Sequence, residues 1–292
     1  MNILEYENYQ ELKEHFENTF SYNTYLCTIP LDFSRVPCHW HNEMELIYIK
    51  KGYGKVGIDL TDYTVSAGEI AIILPGQLHS IEQADDTSFE YENIMFDMNL
   101  ISSKQGDSIT DALLHRITHH TIHFPSILMH DTPYYKDLIG YIDRADEICK
   151  TFPQCYSLGI KSQLCGFFYL LVQTSSDSSP VKPDIRSLKK IKLITQYIEE
   201  NYQSEISIEK MAEICDFSQS HFMKFFKKNM GIPFISYLNE YRLIIASRLL
   251  LTSSSSIIYI AQECGFDNLS YFNRLFRKKF SMTPSQFRHQ QS

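Results

Sequence analysis

Residues 257–288 read IIYIAQECGFDNLSYFNRLFRKKFSMTPSQFR, the pattern of a short helix, a turn and a second helix that is amphipathic and basic. Phe272, Leu275, Phe276 and Lys279 recur at i, i+3, i+4 and i+7, so one stripe carries three large apolar side chains that need a core. The adjacent stripe holds Ser270, Asn273, Arg274, Arg277 and Lys278, a set of hydrogen-bonding groups and cations suited to base edges and phosphates. Gly265 falls at the turn, where a positive φ costs glycine little. Thr283, Pro284 and Gln286 mark a further helix start as cap, first-turn proline and capping box.

The pattern is duplicated. Residues 208–238, IEKMAEICDFSQSHFMKFFKKNMGIPFISYL, align with it apart from one residue missing before the second helix. Ala212, Cys215, Phe217, Phe222, Phe226 and Lys228 match Ala261, Cys264, Phe266, Phe272, Phe276 and Lys278. Asp216 replaces Gly265, and Asp enters the left-handed region more readily than most residues. The polar stripe recurs as Ser220, Met223, Lys224, Lys227 and Lys228. Between the copies, residues 235–251 (ISYLNEYRLIIASRLLL) lack Gly and Pro and place Leu238, Arg242, Ile245 and Leu249 on a helical repeat. A helix of that length spans roughly 25 Å, against the roughly 34 Å between successive major grooves on one DNA face. A single basic amphipathic helix is most often a solvated face. Charge, turn and repeat agreeing in two copies point instead to a DNA-reading device.

Residues from about Leu188 to Arg288 resemble the DNA-binding domain of the AraC-type (AraC/XylS) transcription regulators. The resemblance is strongest in Ile260, Ala261, Gly265, Phe266, Tyr271, Phe272, Phe276, Lys278, Pro284, Phe287 and Arg288. It implies two helix-turn-helix units joined by a long helix, with the second helix of each unit entering double-stranded promoter DNA. It nominates Gln219, Ser220, Met223 and Lys224 in the first unit, with Lys227 on the same stripe. In the second it nominates Leu269, Ser270, Asn273 and Arg274, with Arg277 and Lys278 beside them. Met223 and Leu269 would supply apolar contacts, for example to thymine methyls.

Charge divides the chain in the same place. The formal balance is −8, yet residues 184–292 hold 15 Lys and Arg against 10 Asp and Glu, leaving 12 against 25 in the first 183. An acidic half that repels DNA is joined to a basic half that attracts it. Seven scattered cysteines without a CxxC pair suggest a reducing compartment, and neither a signal-peptide core nor a membrane-length apolar run is present. Cytoplasmic localisation is the expectation.

From about Leu26 to Phe96, short segments at 45–49, 55–59, 63–66, 70–74 and 89–96 alternate with turn residues, the texture of an antiparallel barrel or jelly roll. Within it run His39-Trp40-His41-Asn42-Glu43-Met44-Glu45, then Gly52, Gly68, Pro75, Gly76 and His79. That spacing resembles the two motifs of the cupin barrel, which also forms the sensory half of many AraC-type regulators. In metal-binding cupins His39, His41, Glu45 and His79 would be the ligand set, and such a set suits Fe, Mn, Ni or Zn. In the sensor branch the same positions line an effector pocket without a metal or other cofactor, and Tyr48, close by in the sequence, is expected as a further hydroxyl partner of that pocket. Leu74 and Gln83 depart from the cupin pattern, which usually has proline and asparagine there.

His115, His119, His120, His123 and His130 fit no single helix or strand and are expected to be surface residues without a defined site. Helical periodicity returns at 133–150 (Leu138, Ile142, Ala145, Cys149) and 156–173 (Leu164, Phe167, Phe168, Leu171); the resemblance implies that this pair mediates homodimerisation, and packing within the chain against the barrel would give the same pattern. The expected organisation is a ligand-sensing barrel over 1–132, the helical pair over 133–173, a Ser/Pro-rich linker over 174–186 and a double helix-turn-helix domain over 187–292. The expected function is a non-enzymatic, effector-responsive transcription regulator. The resemblance implies an activator that contacts RNA polymerase; the polar pocket residues suit a polyhydroxylated molecule, and the likeness to regulators that share the HxHxxxEL pattern implies a sugar effector and carbohydrate-use genes. The alternative is a metal-dependent cupin enzyme fused to a DNA-binding domain. No phosphate-binding loop, HExxH motif or serine-nucleophile elbow opens another catalytic route.

Overall fold

The computed structural model describes residues 20–32, 35–85, 87–102, 108–175 and 184–289. Most of the expected linker, 176–183, lies outside the described residues, as does the acidic start of the chain. The chain divides into two compact units, 1–183 and 184–292.

The first unit is built on two antiparallel sheets. Strands β1 (Tyr22–Ile29), β2 (Arg35–His39), β3 (Met44–Lys51), β4 (Tyr53–Ile58), β5 (Thr61–Ser66), β6 (Ile70–Ile73), β7 (His79–Gln83), β8 (Phe89–Phe96) and β9 (Ile127–Leu128) form one sheet in the order β1-β8-β3-β6-β9 and another in the order β2-β7-β4-β5. One apolar core draws on both: Tyr25, Ile47, Ile73 and Tyr91 from the first sheet meet Val56, Ile58, Val65 and Ile81 from the second. The alternate residues of the first sheet, including Met44, Leu46, Ile94 and Phe96, face a second core shared with helices. Strand β6 is therefore buried on both faces, which is why it reads as an unbroken apolar run.

Those helices are α1 (Ser108–Thr118), α2 (Tyr135–Thr151) and α3 (Tyr156–Gln173). Helix α2 buries Leu138, Ile142, Ala145 and Cys149; α3 buries Leu164, Phe167, Phe168 and Leu171 together with Ile160, so the expected stripes are the ones buried. Helix α1 was not expected, and with it His115 sits on a helix. His115 and His119 are exposed with their rings stacked at 3.8 Å, while His120 Nε2 bonds to the Pro75 carbonyl at 2.7 Å. Strands β1 and β7 also begin or lie outside the segments read as strands, because their polar residues mask the alternation.

The second unit is all helical: α4 (Ile185–Asn201), α5 (Ile208–Ile214), α6 (Gln219–Met230), α7 (Phe234–Thr252), α8 (Ile257–Glu263), α9 (Leu269–Phe280) and α10 (Pro284–His289). Helices α5–α6 and α8–α9 are the two helix-turn-helix units and α7 is the connector, about 28 Å long for its 19 residues. Its buried face is not the expected one. Leu238 and Arg242 are buried, but Leu243, Ala246 and Leu250 complete the face, leaving Ile245 and Leu249 at its edge. The helix is apolar nearly all round, so periodicity alone fixed its direction poorly.

Candidate functional site

Each helix of the two units starts on a side-chain cap. Ser207, Ser218, Ser256 and Asn268 accept from the backbone N–H three residues on, at 3.1, 3.3, 3.2 and 2.9 Å, satisfying a donor the helix cannot. Thr283 and Gln286 form the reciprocal capping box. The turns need left-handed residues and have them, Asp216 at φ 53° and Gly265 at φ 76°. Phe222 and Phe226, like Phe272 and Phe276, are fully buried and anchor α6 and α9.

Anchoring by those rings turns the opposite face outward. Gln219, Ser220, Met223, Lys224 and Lys227 are exposed on α6; Ser270, Asn273, Arg274, Arg277 and Lys278 are exposed on α9, with Leu269 half-buried at its start. Met223 is an apolar side chain left 46% exposed on this face. Lys227, Lys228, Arg277 and Lys278 also lie in the last turns of their helices, where cations offset the dipole. The Arg274 guanidinium lies over the Tyr271 ring at 5.2 Å, and the Tyr271 hydroxyl accepts from Asn239 Nδ2 of α7 at 3.0 Å. Sequence reading gave Asn239 no role, since a polar residue on a connector helix carries no signal of the tertiary bond it makes.

In the first unit the four cupin-like positions converge. His39 ends β2 opposite His79, the first residue of β7, beside a bulge in that pairing. His41 lies in the β2–β3 connection and is held by the Gly76 N–H, which donates to its carbonyl at 2.7 Å. Glu45, on β3, is buried; its Oε2 lies 2.9 Å from His41 Nε2 and 2.7 Å from His79 Nε2, the latter a charge contact rather than an aligned hydrogen bond. The Nδ1 atoms of His39, His41 and His79 sit 2.9, 3.2 and 3.0 Å from the carbonyls of Pro37, Glu43 and Gln77. At His39 and His79 the carbonyl can only accept, so the bond places a proton on Nδ1 and turns Nε2 toward the cluster; at His41 it is Nε2 that donates to the Glu45 carboxylate. One ligand atom from each of the three histidines lies within 4.8 Å of the others.

The electrostatics follow from burial and closeness. Burial, then the neighbouring His79, pushes the His39 imidazole down to about 3. Burial would raise the Glu45 carboxyl, but His79 and His41 hold it below the usual carboxylate range. Burial opposes charge on His79, yet Glu45 raises its pKa above the ordinary value. At neutral pH the cluster is an ionised Glu45 paired with His79, beside a neutral His39.

Tyr48 does not belong to this site. Three residues from Glu45 on one strand, it projects from the opposite face of β3 and packs in the core shared with the helices, its ring 3.6 Å beneath Lys50 Nζ. Trp40 follows β2 and is half-buried.

Among the described residues, no helix is long and apolar enough to cross a membrane. A helix-turn-helix domain model matches residues 211–290, and an AraC-like ligand binding domain model matches residues 30–113. An uncharacterized HTH-type transcriptional regulator of Bacillus subtilis, YdeC, is 21% identical over 98% of both chains. The HTH-type transcriptional activator RhaS of an Enterobacter species is 25% identical, across 86% of this chain and 87% of that protein. The lactose operon transcription activator of Staphylococcus xylosus is 33% identical over 42% of this chain and 45% of that protein. With the ligand-binding fold and the duplicated helix-turn-helix matched in one chain, the protein belongs to the AraC-type transcription regulators, with an N-terminal ligand-binding domain and a C-terminal DNA-binding domain.

Proposed function

We propose that the protein is an effector-responsive activator of carbohydrate-use genes, in which a sugar binds at the barrel cluster of His39, His41, Glu45 and His79. The convergence of His41 and His79 on the buried Glu45, with the His39 ring beside both, carries this reading. An ionised carboxylate and imidazole nitrogens are partners for vicinal hydroxyls, and the same cluster draws on both sheets, so occupancy bears on their packing. A relative named for a lactose operon supports the sugar class. The reading has the protein work as a cytoplasmic homodimer through α2 and α3. Each DNA-binding domain reads promoter DNA with Gln219, Ser220, Met223, Lys224 and Lys227 and with Leu269, Ser270, Asn273, Arg274, Arg277 and Lys278, and RNA polymerase is the partner at the promoter. Regulation requires that the effector favour one arrangement over another.

The Nδ1 bonds favour a second reading, in which a divalent transition metal sits among His39, His41 and His79. Such bonds are how ligating histidines are oriented, and three nitrogens with a carboxylate suit Zn, Fe, Mn or Ni. One experiment separates the two readings. The melting temperature of the full chain is measured against lactose and a panel of other sugars, each with and without a chelator. A ligand at 100 times its Kd stabilises the folded state by about 2.7 kcal/mol. A chelator-insensitive rise with one sugar, lost in Glu45→Gln, supports the sensor. A melting point that falls with chelator supports the metal. No rise with any sugar removes the sugar class.

A further inference from the structure

We infer that Tyr271 and Asn239 are positioning residues for Arg274, so that base preference in the second unit depends on two side chains that need not touch a base. The inference rests on the reading of Arg274 as a base contact. Tyr271 is fixed at three points. Its backbone N–H donates to the Asn268 cap at 2.9 Å, its hydroxyl accepts from Asn239 Nδ2 at 3.0 Å, and its ring packs toward Phe266, with centroids 6.4 Å apart. Tyr271 is still 36% exposed, and Arg274, one turn further along α9, lays its guanidinium over the ring at 5.2 Å.

An arginine that reads guanine must bring a planar fork to O6 and N7 together. A free arginine samples many rotamers; one stacked on a fixed ring holds its plane before DNA arrives. The chain contains its own contrast. At the position equivalent to Tyr271, α6 carries His221, whose ring rests on Phe217 at 4.1 Å, and the cation one turn on is Lys224, a point charge without a planar fork. The second unit is therefore the preorganised reader. Asn239 extends this into the connector helix α7, so the element that joins the units also aims a side chain of one of them.

The test uses the full chain in selection from random DNA duplexes followed by sequencing, repeated at several salt concentrations. Arg274→Ala first identifies the base positions that Arg274 reads, as those where preference falls by about 10- to 100-fold. Tyr271→Ala is expected to shrink preference at those same positions to within about 3-fold of none, leaving others intact. The salt slope should be unchanged, because no phosphate-binding charge is lost. Asn239→Ala and Tyr271→Phe, which keep the ring and lose only its anchor, should give a smaller loss at the same positions. Adding Tyr271→Ala to Arg274→Ala should do nothing more. Preference retained in both Tyr271→Ala and Asn239→Ala, or a uniform loss across all sequences, overturns the inference while leaving Arg274 as a base contact. If Arg274→Ala alters no position, the reading of Arg274 fails and the positioning role with it.

Discussion

Arg242 donates from Nε to the carbonyl of Tyr202 across 2.8 Å, and from Nη2 to Ser204 at 2.7 Å, although the arginine projects from α7 and its acceptors lie beyond the end of α4. The second helix-turn-helix repeats the device, with Arg288 of α10 donating to the carbonyls of Leu250 and Ser255 at 3.3 and 2.7 Å. At each helix-turn-helix an arginine from the following helix closes the carbonyls ahead of the motif. Arg242→Met removes a charged donor and strands two carbonyls, an expected cost of about 3 kcal/mol. Far-UV circular dichroism should show a helical transition at lower temperature. The fluorescence of Trp40, the only tryptophan and a residue of the barrel, should melt where it did. Coincident movement of both signals would mean that the two units unfold as one.

Beneath the same guanidinium lies Gly265, at φ 76°. A Cβ there would meet the Tyr202 carbonyl oxygen at 2.5 Å and Arg242 Cζ at 2.8 Å. Gly265→Ala therefore combines strain with a backbone clash and should cost more than about 2 kcal/mol. Asp216→Gly, at the equivalent turn, only relieves a left-handed residue and should stay within about 1 kcal/mol of the wild type. Denaturant titration of both variants compares them directly; equal costs would show that the close approach is not what selects glycine.

This pair shows what was legible in the sequence. The need for a left-handed turn could be read from Asp216 and Gly265 in register, as could the Thr283 capping box, the buried phenylalanines and the exposed polar stripes, because all are set within one turn of chain. The tie between Gly265 and Arg242, like that between Tyr271 and Asn239, joins residues more than 20 positions apart and leaves no periodic trace. In the barrel, motif spacing located His39, His41, Glu45 and His79 correctly as neighbours, yet Tyr48 was assigned by chemical suitability against its strand parity. Strand β8 was legible as a strand, but with both faces covered its buried Glu92 and Asn93 could not be assigned to a face or a partner.

Glu92 faces the helical core, 2.7 Å from Lys50 Nζ, and shares a hydrogen bond with Asp146 of α2, itself paired to Lys150 at 2.6 Å. Burial, then Asp146, raises the Glu92 carboxyl to about 7, while Asp146 is lowered. For a carboxyl raised on folding, the folded state binds the proton more tightly. Stability is therefore lost as pH rises from the ordinary carboxylate range through about 7, and is level above it. Glu92→Gln keeps the donor to Asp146 without that titration. Its melting temperature should equal the wild type's near pH 5 and exceed it by a few degrees near pH 8, at about 2–4 °C per kcal/mol for a chain of this size. A Glu92→Gln variant less stable at pH 8 would mean that the Lys50 ion pair outweighs the buried charge.

Helix α3 buries one face and leaves another apolar in solvent: Leu158 and Tyr169 are each 68% exposed, with Cys165 exposed between them. Their spacing of seven and then four residues places them along one side of the helix. That is the geometry of a helix seam completed by a second copy, as the proposed homodimer requires. Because all three are exposed, charge introduced there has little reason to disturb the fold. Leu158→Glu and Tyr169→Glu should lower the sedimentation mass to that of one chain at micromolar concentration, with melting within about 2 °C of the wild type. Mild oxidation of the wild type should yield a crosslink that Cys165→Ser abolishes if the two helices meet near their midpoints. Variants that sediment as the wild-type dimer would move the interface elsewhere. A wild type that sediments as a single chain would remove the dimer from the proposed mechanism and leave each chain to reach two groove segments with its own pair of units.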